Sequence, residues 1–190
     1  MAVLSRTEAV RRLYDDTLLP PTTIVGTFGI LDKADCALTL DNVLAAAWTA
    51  YKTYETHVSQ KLSYFRGLAP NAEADLRVAE LRVLGALGWA VPARTRVHAV
   101  DDLAYKLDLT KLDYGRASVL SLVLPECARM TDEQYARVVL CAAAQLAKLQ
   151  DMQWAARLAS DDVGVDYIMT WGVRVACVSG PSSGVKRKRT

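Results

Sequence analysis

Residues 40–65 read LDNVLAAAWTAYKTYETHVSQKLSYF, and this stretch decides the fold class. Leu40, Leu44, Trp48, Tyr51, Val58, Leu62 and Phe65 recur at steps of three, four or seven, which aligns them along one face of a helix. Lys52, Glu55, Gln60 and Lys61 take the opposite face. Gly67 and Pro70 end the run, since glycine accepts the left-handed geometry of a helix terminus and proline cannot extend the hydrogen-bond ladder. A continuous rod of this length would measure about 40 Å at 1.5 Å per residue. Asn71 then caps a second expected helix, Ala72 to Ala90, with Leu76, Ala79, Val83, Leu87 and Ala90 on one side. Gly85 and Gly88 weaken its last turn but let a neighbour approach closely. The short connection from Gly67 to Asn71 makes the pair a long antiparallel hairpin.

Outward from the hairpin, Ser5-Arg6-Thr7-Glu8 is a capping box that starts a short helix to about Asp16. Pro20-Pro21 stops it, and residues 22–38, with Gly26 and Gly29 among β-branched side chains, read as an irregular or extended connector. Residues 93–130 read as an irregular excursion or insertion, with a short helix over Asp101–Leu109 and an ambiguous apolar run over Val119–Leu124. Thr131-Asp132-Glu133-Gln134 is a second capping box, opening a third long helix to about Ala159. Asp161 and Asp162 offer an N-cap for a last element over Val163–Val178, whose end, from Val173, reads as extended. The expected architecture is therefore mainly α: a helical bundle built on the long hairpin in residues 1–178. Residues 179–190 form a flexible Ser/Gly/Pro linker and a basic tail.

Hydrophobic residues make up 52% of the 190 and charged residues 23%, an apolar balance that suits either an Ala-rich core or a self-associating subunit. The net charge of +2 conceals an asymmetry. Lys186, Arg187, Lys188 and Arg189 supply four of the 23 basic residues, so the rest of the chain holds 19 bases against 21 acids and is net −2. Only the tail resembles a phosphate-binding surface. The same string fits a nuclear import address, or a solvated end that aids solubility. Cys36, Cys127, Cys141 and Cys177 lack metal-ligand spacing, and no signal peptide or membrane span is evident, so a reducing compartment and no secretion are expected.

No catalytic constellation, metal site or cofactor motif emerges. His57 and His98 stand apart from other ligands, and no HExxH, GxSxG, P-loop or dinucleotide-binding glycine pattern is present. An activity based on contact, not an enzyme, is the expectation. Trp48, Tyr51 and Tyr54 crowd one helix, and since two tyrosines three residues apart cannot both enter one narrow core, one of them is a candidate subunit contact.

The segment Asp166-Tyr167-Ile168-Met169-Thr170-Trp171-Gly172-Val173 resembles the last helix of the hepatitis B-type virus core proteins, and the layout of hairpin, last helix, linker and basic tail is similar. The resemblance implies a capsid protein in which hairpins of two subunits dimerise as a four-helix bundle. Tyr167, Trp171 and Val173 would join dimers into a shell, and Lys186–Arg189 would face packaged nucleic acid. The tail here is one short cluster where the family carries several Arg-rich blocks, and residues 93–130 would be an insertion at the hairpin tip. The expected partners are further copies of the chain, nucleic acid bound non-specifically with RNA the expected form, and alternatively an import receptor. The expected location is the virion, or otherwise the host cytoplasm or nucleus. The rival expectation is a nuclear adaptor or regulatory helical protein whose tail is an import signal.

Overall fold

The computed structural model describes residues 2–15, 17, 19–55, 72–149 and 153–178. The protein is mainly helical, and the described residues contain no strand beyond the isolated bridges Val3–Thr39 and Ser160–Val163. They divide into two compact units, Met1–Thr95 and Arg96–Ser179.

The first unit holds α1 (Arg6–Asp15), α2 (Pro21–Ala34), α3 (Leu40–Tyr54) and α4 (Ala72–Ala86). Ser5 caps α1 by accepting from the Glu8 amide at 3.2 Å. The expected connector over 22–38 is largely α2. Pro21 sits in the first turn, where a missing N–H costs no ladder bond, so the Pro-Pro pair starts a helix as well as ending the chain segment before it. Ile24, Phe28, Ile30 and Leu31 are buried, and Arg6 clamps the helix with two hydrogen bonds to Asp32 (2.7 and 2.8 Å) while its guanidinium lies 5.0 Å from the Phe28 ring. Gly26 is required by packing: a Cβ there would run into the edge of the Tyr54 ring. Thr39 caps α3, whose Ala45, Ala46, Ala47 and Ala50 are fully buried between α2 and α4. At Glu55 the backbone turns extended, so α3 ends at Tyr54 and not at Phe65. The rest of that expected helix, the Gly67–Asn71 connection and the Asn71 cap lie outside the described residues. Glu80 on α4 accepts from Thr49 and Lys52 of α3.

The second unit holds α5 (Arg96–Lys106), α6 (Gly115–Ser121), α7 (Pro125–Arg129), α8 (Asp132–Leu146), α9 (Gln153–Leu158) and α10 (Val165–Cys177). Residues 93–130 thus contribute three helices and part of the core, through Val100, Ala104, Leu109, Ala117, Leu120 and Cys127. The Thr131 capping box forms as its sequence indicates, with both reciprocal hydrogen bonds present (3.2 and 3.0 Å). From Tyr135 to Ala144 every residue of α8 is buried. The helix stops at Leu146, well short of Ala159, because Lys148 takes a left-handed φ of 58° and the Leu149 amide donates back to Ala144 O. Gly164, not Asp161 or Asp162, stands at the N-cap of α10, and α10 stays helical to Cys177 where an extended end was expected.

Two polar anchors hold this unit. The buried Arg137 donates to the carbonyls of Leu158 and Ala159 and to Glu133 Oε1 (2.6 and 3.1 Å), tying α9 to α8. Arg96 donates to the carbonyls of Cys127 and Met130 and lies 5.0 Å from the Tyr135 ring, joining α5, α7 and α8.

α10 packs closely on α8 at Gly172, where a Cβ would stand 2.6 Å from Cys141 Sγ, 2.8 Å from Cys141 Cβ and 3.3 Å from the Ala142 amide nitrogen. Alanine is the better helix former by about 1 kcal/mol, yet overpacking here is expected to reverse the sign. Gly172→Ala should destabilise the protein by about 1–3 kcal/mol in urea denaturation. Gly29→Ala, at an exposed helical glycine with none of the described residues within 4 Å of where a methyl group would stand, should instead stabilise by up to about 1 kcal/mol.

Candidate interaction face

The α4 sequence carries two apolar spacings. Leu76, Ala79, Val83 and Leu87 are buried, as their stripe implies, while Ala90, the fifth residue of the expected stripe, is exposed, since the helix ends at Ala86 and not at Ala90. Val78 and Leu81, on a different side of the helix, are 59% and 58% exposed, and Gly85 continues their spacing with none of the described residues within 4 Å of its Cβ position. Arg77 and Arg82 are exposed on the same helix. Single exposed apolar residues are ordinary, but a helical row of them is not.

The row is extended by the helix terminus. After Ala86 the chain closes with Gly88 N–H donating to Gly85 O and Trp89 N–H donating to Leu84 O. Gly88 and Trp89 take φ of 61° and 64°. Glycine occupies this left-handed region freely, whereas for an L side chain it costs about 1–2 kcal/mol. Trp89 adopts it with its side chain 65% exposed, so the burial of its indole within the chain does not offset the strain. Trp89 therefore combines a left-handed backbone with an exposed ring.

The residues singled out from the sequence fall into three groups. On α3, Trp48 and Tyr51 stack at 6.3 Å, with Lys52 Nζ 5.3 Å from the Trp48 ring. Tyr51 is only 9% exposed, and Tyr54 wedges against Gly26 and donates from its hydroxyl to Pro92 O at 2.7 Å. Both tyrosines find places within the unit because α3 has α2 on one side and α4 on another, so the crowding that suggested a second subunit is relieved internally. On α10, Tyr167 and Trp171 are half-buried with ring centroids 6.4 Å apart. Arg174 lies 4.4 Å from the Trp171 ring, and Val173 is 39% exposed beside it. Lys186, Arg187, Lys188 and Arg189 lie outside the described residues.

The ionisable groups with displaced proton affinity are packed ones. Burial pushes the Cys127 thiol up to about 11, with Glu126 adding to the effect and Arg96 and Arg174 opposing it, and burial alone pushes Cys141 to about 11. Burial likewise raises Tyr135 to about 12 against the hydrogen bond from Ser121 Oγ. Tyr114 is raised by burial and by its hydrogen bond to Asp101. His98 is half-buried on α5, and His57 lies outside the described residues. Among the described residues no three His, Cys, Asp or Glu side chains gather as a metal site, and no helix is long and apolar enough to cross a membrane.

Val78, Leu81 and Trp89 were not singled out by the sequence reading. The buried stripe of α4 satisfies the helical period by itself, and the second stripe is visible only when the remaining apolar residues are spaced separately.

Two expectations follow. Trp89→Gly should raise stability by about 1 kcal/mol in denaturation of dilute protein, because it relieves a left-handed side chain that contributes little to the core. A loss of stability would show that Trp89 serves folding and not contact. At pH 8, a thiol with a pKa near 11 is thiolate in only about one part in a thousand. Alkylation read by intact mass should therefore modify the exposed Cys177 first, while Cys127 and Cys141 react only on unfolding.

Set against family models, curated proteins and solved structures, the chain matches none of them.

Proposed function

We propose that this chain is a self-assembling structural protein of the capsid or nucleocapsid type, which packages nucleic acid through its basic C-terminal tail. The observation that carries the reading is the division of charge: four consecutive cations stand in the last five residues, while the remainder of the chain is net −2. Such a tail neutralises phosphate without demanding fixed geometry. Four contacts give one subunit only weak, non-specific binding, with a salt slope of about −3 to −4. Display of many copies on one assembly converts these weak contacts into avidity, so the tail and the assembly imply each other.

Exposed apolar side chains on α4 and α10 supply the contact surface that assembly needs. In this reading α3 and α4 are the arms of an antiparallel hairpin, and their packing through Thr49, Lys52 and Glu80 supports that arrangement. Tyr167, Trp171 and Val173 join one pair of subunits to the next. The partners are further copies and nucleic acid, with RNA the expected form. The site of action is a virion or the host cytoplasm or nucleus, and no catalysis is involved. The tail equally suits an import receptor, in which case the chain is a nuclear adaptor and the same four residues are its address.

Removing residues 185–190 tests the reading. The purified full chain should form large symmetric particles by negative-stain microscopy, with a raised ratio of absorbance at 260 to 280 nm. The truncated chain should keep its helical circular dichroism and lose most of the bound nucleic acid. A monomer free of nucleic acid at every salt concentration, whose tail carries a reporter into the nucleus, would replace packaging by the adaptor reading.

A further inference from the structure

We propose that the C-terminal end of α4 carries a second nucleic-acid contact, in which Trp89 stacks on an unpaired base of a single strand while Lys33, Arg77 and Arg82 neutralise its phosphates. This site lies on the folded first unit, goes beyond the packaging tail, and requires no assembly.

The uncovered ring is the first argument. Of the four tryptophans, Trp48 stacks on Tyr51 with Lys52 against it, Trp154 lies against Arg157, and Trp171 is flanked by Tyr167 and Arg174. Among the described residues no ring or cation packs on Trp89, whose side chain is 65% exposed. Its main chain is nonetheless fixed, since the Trp89 N–H donates to Leu84 O at 2.8 Å in the closing turn of α4. An exposed ring on a fixed backbone offers a stacking platform that loses little freedom on binding.

The sorting of charge is the second. In the first unit Arg6, Arg11, Arg12 and Lys52 are paired with the carboxylates of Asp32, Asp15, Glu8 and Glu80 respectively. Lys33, Arg77 and Arg82 are exposed and have no such partner among the described residues. Lys33 Nζ donates to Ala90 O at 3.3 Å, beside Trp89, and keeps donors to spare. Arg82 acts on the Cys36 thiol just past the end of α2, so it approaches the same corner as Lys33. Asp35 stands at this corner as well, but it forms no ion pair with either cation among the described residues, and the local balance is positive. The near-neutral charge of the whole chain hides this sorting.

The order of these groups is the third, and it selects the occupant. Arg82 follows Arg77 by about 7–8 Å along the helix axis, and Trp89 comes two turns later. Between Arg82 and Trp89, Gly85, Ala86 and Gly88 are exposed and bear at most a methyl group, so a strand can lie close to the backbone. Cations interleaved with an aromatic ring match a polymer that alternates phosphates with bases. An acidic peptide would use the cations and leave the ring idle. A lipid surface would need a wider apolar face than Val78 and Leu81 supply.

The test uses the full-length chain with Lys186→Ala, Arg187→Ala, Lys188→Ala and Arg189→Ala, which silences the tail. The probe is a labelled oligouridylate of about eight nucleotides, followed by fluorescence anisotropy at low salt. Binding should quench tryptophan emission, and three phosphate contacts should give a slope of log affinity on log salt of about −2. Trp89→Gly should keep its helical circular dichroism, lose affinity at least about fivefold and abolish the quenching, with the slope unchanged. Arg82→Gln should instead reduce the slope by about 0.7. No binding to the tail-silent chain, equal binding by Trp89→Gly, or equally effective displacement of the probe by polyglutamate would each overturn the proposal. Nucleic acid held by the unaltered chain but not by the tail-silent one would remove this site and leave the packaging tail standing. Binding by the tail-silent chain as tight as that of the unaltered one would keep this site and remove the tail's share.

Discussion

Each unit is organised around one helix that must be buried on nearly all sides, and small side chains make that possible. In α3 the run Ala45–Ala47 and Ala50 lets α2 and α4 close on it from different directions. In α8 the run Ala142–Ala144, with Cys141 beside it, does the same for α10, α5 and α6. A helix flanked by alanines presents little relief, so its neighbours come close and their own side chains must yield. Gly172 over Cys141 and Gly26 under Tyr54 are the places where they yield most. Interior packing at crystal-like density leaves such positions little freedom in either direction.

The same economy of size explains the apolar surplus. Narrow central helices bury readily but offer limited area, so the helices around them retain apolar side chains that find no room inside. α4 is the clearest case: Leu76, Ala79, Val83 and Leu87 are covered by its unit, and Val78 and Leu81 are not. On α10, Ile168, Gly172 and Val175 turn inward while Val173 remains partly in water. The high apolar content therefore divides between core and surface.

Much of the architecture was legible in the sequence, for reasons that differ by element. Thr131 with Gln134 announced α8, because a capping box is a local interaction that needs no tertiary partner. The buried stripe of α4 was legible because four residues at one period suffice to fix a face. α2 was not, since Pro20-Pro21 reads as a stop and Thr22, Thr23, Ile24 and Val25 as extended chain. Burial against α3 overrides that propensity, and Thr27 recovers a hydrogen bond by donating to Thr23 O. α6 and α7, at seven and five residues, are shorter than the window in which a helical period can be recognised. The break at Lys148 leaves no compositional mark, because lysine does not favour the left-handed region, whereas Gly88 beside Trp89 does mark the end of α4. On the exposed side of α4 and at its end, only Gly85 and Gly88 stand out in the sequence.

Arg137 has a consequence for how the second unit responds to salt. Its guanidinium is buried, and two of its acceptors are backbone carbonyls, so dissolved ions reach this anchor poorly and do not compete for it as they do for exposed charge pairs. Salt concentrations that weaken exposed charge pairs would leave this anchor in place. High salt should therefore loosen surface charge pairs such as Arg12–Glu8 before it loosens the tie between α8 and α9.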